Sequence, residues 1–150
     1  MIQRIQSIFW LMGAISIALL FVAPIAKITG SVDLEFWLNG IFDPGTEEYI
    51  RSNWILGVLG SIIILISLLT IFLFKKRELQ MRLTIYNIIL IVALIGLGIF
   101  LATTGAKDFN GTLKSEYYSL MPIVAMIFNI LAWRGVRKDY LMLKAVDRIR

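Results

Sequence analysis

The sequence predicts an all-α membrane protein, a four-transmembrane-helix bundle with both termini cytoplasmic, and three observations carry that fold class. The first is four uncharged runs, residues 5–26, 52–74, 83–106 and 117–133, which are 22, 23, 24 and 17 residues long. About 20 apolar residues cross the hydrocarbon core as a helix, so each run is of spanning length. The second is charge: segments on one side of the runs hold 11 basic and 3 acidic residues, and those on the other hold 4 basic and 7 acidic. Lys and Arg near span ends stay on the cytoplasmic side, which puts both termini and the 75–82 connection inside. The third is composition, 59% hydrophobic and 17% charged with mean hydropathy +0.82, against about 45–50% and about 25% in soluble domains.

These quantities also exclude function classes. The formal net charge of +5 suggests nucleic acid only if its location is ignored. A basic inner face beside anionic lipid headgroups accounts for it, and no nucleic-acid partner is expected. The chain has no cysteine and no histidine. That removes the disulfide framework, the thiol nucleophile, the commonest general base and the commonest metal ligand. The expectation is a non-enzymatic protein with no cofactor and no metal. Its 150 residues are expected to form one membrane domain.

The first run is read as a retained span, not a signal peptide, because its apolar stretch exceeds the 7–15 residues of an h-region. It ends at Pro24, whose ring and missing N–H suit a helix boundary. In the outer connection 27–51, Val32, Leu34, Phe36 and Leu38 alternate with Asp33, Glu35, Trp37 and Asn39, a strand pattern. Asn39–Gly40 is a favoured hairpin turn pair, and Asp43, Pro44 and Gly45 form a second turn. A single strand or small hairpin is therefore expected there. Thr46, Glu47 and Glu48 then read as a helix start. The second and third runs should form a tight antiparallel pair across residues 75–82. Asn110–Gly111 marks a turn in the second outer loop. Beyond Trp133, residues 134–150 should continue as a cytoplasmic amphipathic helix with Val136, Tyr140, Leu143 and Val146 on one face.

Candidate packing residues are small pairs four apart, Ala14 with Ala18, Gly57 with Ser61, and Gly98 with Ala102. Lipid tails are as apolar as leucine, so close approach of small residues and interhelical polar contacts drive helix association. The last two pairs share the outer half and would let runs two and three approach. Asn87 lies five residues inside Arg82 and Asn129 five before Arg134, so both sit at one depth with Gln6, Ser67, Thr70 and Tyr86. This cluster is read as a structural hydrogen-bonded layer, since ion pathways usually carry an intramembrane charge. Asp33, Glu35, Asp43, Glu47 and Glu48 are read as solvated loop charges. The tail residues Val136, Tyr140, Leu143, Val146 and Arg148 are candidates for docking on lipid or on a membrane-protein partner.

The opening Met1, Ile2, Gln3, Arg4, Ile5 and Gln6, followed by Pro24, Ile25 and Ala26, resembles a family of small four-span membrane proteins from Bacteroidetes. The ending is similar as well: Asn129, then Arg134, Arg137, Lys138 and Asp139, then Leu141, with Val146, Asp147, Arg148, Ile149 and Arg150 closing a basic tail. That family is known only as a domain of unknown function. The resemblance implies the inner membrane of a Gram-negative bacterium and implies no activity.

The functional expectation is an accessory or structural subunit of an inner-membrane assembly, with the lipid bilayer and a membrane partner or homo-oligomer as its contacts. The alternative is a small oligomeric transporter or channel. An enzyme working through the loop carboxylates is a third and weaker reading.

Overall fold

The computed structural model describes residues 3–30, 33–73 and 76–147. Helix α1 spans Gln3–Ala18 and tightens into a 3-10 turn at Leu19–Phe21. Helices α2 (Trp54–Phe72), α3 (Arg77–Asp108) and α4 (Met121–Asp147) follow. Five strands lie between them: β1 (Ala26–Thr29), β2 (Leu34–Trp37), β3 (Gly40–Asp43), β4 (Glu48–Ser52) and β5 (Thr112–Ser115). They form one antiparallel sheet in the order β4-β3-β2-β1-β5.

The chain is therefore not an all-α four-span bundle. The sheet recruits both connections, because β5 from the second pairs with β1 from the first, Ala26 opposite Ser115 and Ile28 opposite Leu113. The outer strands left no mark in the sequence for a physical reason. Every residue of β4 and β5 is exposed, so backbone hydrogen bonds hold these strands in place and no apolar alternation is required. Glu47 and Glu48 do not start a helix. Glu47 takes a left-handed backbone (φ 56°) in the turn before β4, and α2 begins only at Trp54. The hairpin turn between β2 and β3 is Leu38–Asn39, since Trp37 pairs with Gly40.

Among the described residues three helices are long and apolar enough to cross a membrane: Trp54–Phe72, Arg77–Asp108 and Tyr117–Met142. The first apolar helix, Ile5–Phe21, is shorter. It tightens into the 3-10 turn, Leu20 of that turn packs into the core with the sheet, and β1 follows after residues 22–25. The third run begins earlier than its uncharged stretch, at Arg77. The fourth run and the tail are one continuous helix ending at Asp147.

Helix α1 packs against α2 and α4, and α3 packs against the same two. Each contributes buried positions at alternating steps of four and three: 6, 10, 13, 17 and 20; 56, 60, 63, 67 and 70; 80, 84, 87, 91 and 94; 125, 129, 132, 136 and 139. This is the seam spacing of helices packed at a shallow angle.

The seams are polarised along their length. At the sheet end, Ile17, Leu20, Leu56, Ile63 and Leu94 join Ile28, Leu34, Phe36 and Ile41 from the sheet's inner face in one apolar core. The sheet thus caps the helices, and the cap fits closely. A Cβ on Gly105 of α3 would sit 2.8 Å from Ile41 Cδ1, and one on Gly111 would sit 2.5 Å from Ile28 Cγ2. Solvent-accessible ion pairs, Lys27 with the half-buried Glu116 at 3.3 Å and Arg51 with Asp108 at 2.8 Å, tie the two connections together. Such pairs contribute little stability on their own.

Candidate functional site: a buried polar layer at the far end of the helices

At the end opposite the sheet the same seams bury polar side chains: Gln6, Ser67, Thr70, Gln80, Thr84, Asn87, Asn129 and Asp139. A buried polar group needs partners, and here most of the groups find one across helices. Asn87 Nδ2 donates to Ser67 Oγ at 2.7 Å and to Asn129 Oδ1 at 3.2 Å, which links α2, α3 and α4. Asn129 Nδ2 donates back to the Ala125 carbonyl at 2.9 Å. Gln80 Nε2 donates to the Thr70 carbonyl at 2.9 Å, closing the α2–α3 turn. Trp10 Nε1 donates to Thr84 Oγ1 at 3.2 Å, and that hydroxyl donates to the Gln80 carbonyl at 2.7 Å. Gln6 Nε2 donates to Asp139 Oδ2 at 2.7 Å, joining α1 to α4. Asn87 Oδ1 is buried and has no hydrogen-bond partner among the described residues.

The layer can therefore fix the rotation of each helix against its neighbours. Each bond between membrane helices is worth about 1 kcal/mol, and several acting together specify one arrangement of the four. Two glycines allow the α1–α4 approach it requires. A Cβ on Gly13 would lie 2.9 Å from Asn129 Nδ2, and one on Gly135 would lie 3.0 Å from Gln6 Cγ.

A family model described as a domain of unknown function, DUF4293, matches residues 2–149. The chain belongs to the DUF4293 family. A comparison with curated proteins gives no match. In this DUF4293 chain the polar layer and its glycines draw on α1, α2, α3 and α4 alike, so the matched region contains the whole network.

The sequence-predicted residues are distributed as follows. Asn87 and Asn129 meet in the layer, while Gln6 sits with Asp139 instead of with them. Tyr86 is exposed. Ala14 is buried and Ala18 half-buried on α1. Gly57 is buried under the sheet's hairpin turn, where a Cβ would lie 2.6 Å from Asn39 Oδ1. Ser61 is exposed, and its hydroxyl donates to the Gly57 carbonyl at 2.8 Å. Ala102 is buried beneath the sheet, and nothing lies within 4 Å of a Cβ on Gly98. The structure thus does not bring Gly57 and Ser61 onto Gly98 and Ala102.

In the tail, Val136 is buried with Trp10 and Ala132, and the Tyr140 hydroxyl donates to Glu78 Oε1 on α3 at 2.6 Å. The side chains of Leu143 and Val146, and Arg148 entirely, lie outside the described residues. Among the acidic loop residues, Glu35 accepts from Trp37 Nε1 at 3.0 Å and Asp43 accepts from the Gly45 N–H at 2.8 Å. Among the described residues no group of three or more carboxylates is placed to hold a metal ion.

Gln80, Thr84, Trp10, Gly13 and Gly135 were not singled out from the sequence as layer residues, and Asp139 was marked only as part of the basic tail motif. The signal for most of them was the four-three step: counting on from Asn129 by three, four and three reaches Ala132, Val136 and Asp139. The two glycine environments give a direct contrast. Gly13→Leu should destabilise the detergent-solubilised protein by about 1–3 kcal/mol, the usual cost of overpacking a tight contact. Gly98→Leu should leave it unchanged or stabilise it by up to about 1 kcal/mol through helix propensity. Thermal melting of the two variants beside the parent checks this, and equal melting would contradict the assigned contacts.

Proposed function

We propose that this protein is a non-enzymatic integral membrane protein, an accessory or structural subunit of an inner-membrane assembly, with its sheet on the outer face and both termini in the cytoplasm. The observation that carries the membrane part of this reading is the inverted polarity of α3. Gln80, Thr84 and Asn87 turn inward, while Ile89, Ile99 and Phe100 are 58%, 61% and 64% exposed. In water that arrangement would leave a large apolar surface uncovered. In lipid it is the expected one, with polar groups satisfied inside and apolar side chains facing hydrocarbon. Sidedness follows from charge, since Arg77, Arg82, Arg134, Arg137 and Lys138 lie at the end away from the sheet and basic residues stay inside. The Gram-negative inner membrane is the location that the resemblance suggests.

Two features support the subunit role. Among the described residues, strands β4 and β5 are the two exposed edges of the sheet, and such edges accept a partner's strand. The polar side chains of the layer bond to one another within a single copy, which favours a structural role for them over a solute path between copies. The missing histidine and cysteine argue against hydrolytic or redox catalysis. Purifying a tagged chain at native level in mild detergent tests the proposal. A stoichiometric membrane partner is the expected result. A homo-oligomer alone, with solute or ion flux in liposomes, would replace this reading with an oligomeric channel or transporter.

A further inference from the structure

A groove of about 350 Å³ lies between the start of α3 and the later part of α4, lined by Glu78, Met81, Arg82, Ile85, Trp133, Arg137, Tyr140 and Leu141. We infer that this groove binds the phosphodiester headgroup of an anionic phospholipid of the inner leaflet, held by Arg82 and Arg137. The inference rests on the membrane reading above, which puts this end of the helices at the cytoplasmic headgroup level.

Charge identifies the occupant. Two guanidiniums and one carboxylate line the groove, and neither arginine makes a salt bridge among the described residues. The carboxylate, Glu78, is engaged by the Tyr140 hydroxyl at 2.6 Å. Arg137 is held in place by its neighbour, its guanidinium carbon 5.1 Å from the centre of the Trp133 ring, a cation–π distance. A planar guanidinium presents paired N–H donors that match phosphate oxygens. The groove also has an apolar side suited to acyl chains, with Ile85 and Leu141 43% and 53% exposed. Trp133 is the residue type favoured at headgroup depth. Basic pockets between membrane helices on the cytoplasmic side are the usual form of an anionic-lipid site.

The test uses the full chain in nanodiscs of phosphatidylcholine, with and without phosphatidylglycerol, and counts retained lipid by native mass spectrometry. The parent should retain phosphatidylglycerol in preference to phosphatidylcholine. Arg82→Gln with Arg137→Gln should lower that retention about thirtyfold, since each basic residue near an anionic surface contributes roughly fivefold. Lys107→Gln with Lys114→Gln removes the same charge at the sheet end and should retain the parent's preference. Arg82→Lys with Arg137→Lys keeps the charge but loses the paired donors, so its retention should fall between those of the Gln pair and the parent, which guards against misfolding of the Gln pair. A loss with Lys107→Gln and Lys114→Gln equal to that with Arg82→Gln and Arg137→Gln, or no loss with the latter, would overturn the site. Extraction of native membranes with alkaline carbonate separates the two claims. Release of the chain contradicts the membrane reading itself, whereas a retained chain with no lipid preference contradicts only the groove.

Discussion

Trp10→Ala should cost the folded protein about 3–5 kcal/mol, the usual penalty for truncating a buried aromatic side chain. Trp10 is 1% exposed and sits on α1 among Ala132, Val136, Phe9, Ile71 and Met81. Small residues on α4 leave room for the indole, so little nearby can move in to refill its volume. The substitution also strips Thr84 Oγ1 of its donor. Trp10→Phe separates the two contributions. It keeps most of the volume and should cost only about 1 kcal/mol, the worth of one interhelical hydrogen bond. Melting in a single detergent checks both, and an alanine variant as stable as the parent would remove Trp10 from the core.

The second large effect belongs to the sheet. Phe36 is 0% exposed, lies between Ala26 on β1 and Ile41 on β3, and faces the helix ends. Phe36→Ala should also cost about 3–5 kcal/mol, but its consequences should be local to the cap. The expected readout is faster tryptic cleavage at Arg51, on exposed edge strand β4, while the polar layer at the opposite end stays closed. Trp37→Ala, one residue along and on the sheet's outer face, should change cleavage little. Equal sensitivity at both positions would mean that the sheet does not cover the helices.

The two ends of the molecule were unequally legible. Depth within a helix is readable because each residue advances a fixed 1.5 Å. Equal counts inward from Arg82 and Arg134 put Asn87 and Asn129 level, and the structure has them hydrogen bonded at 3.2 Å. Rotation about the helix axis is harder to read from scattered polar residues, and Gln6 accordingly pairs with Asp139 and not with the two asparagines. Asp139 was obscured by its basic neighbours Arg137 and Lys138, which are exposed while it is buried. Small-residue spacing marks where something can approach without saying what does. Gly57 meets Asn39 of the hairpin turn, whereas Gly98 faces open space.

The sheet was the larger loss. Leu34, Phe36 and Ile41 advertised a strand or hairpin because they must be buried. Glu48–Ser52 and Thr112–Ser115 gave no such sign. Their places depend on pairing between segments far apart in the chain, and that information resides in the backbone of β1 and β3 and not in their own side chains.

The claim on which the rest depends is that the sheet and the basic helix ends lie on opposite sides of a membrane. The chain has no cysteine, so single cysteines can be introduced at Lys114 on β5 and at Lys138 on α4, both exposed. Labelling of spheroplasts with a membrane-impermeant maleimide should modify Lys114→Cys directly and Lys138→Cys only after permeabilisation. Labelling of Lys138→Cys in intact spheroplasts, or of both positions equally, would contradict the account.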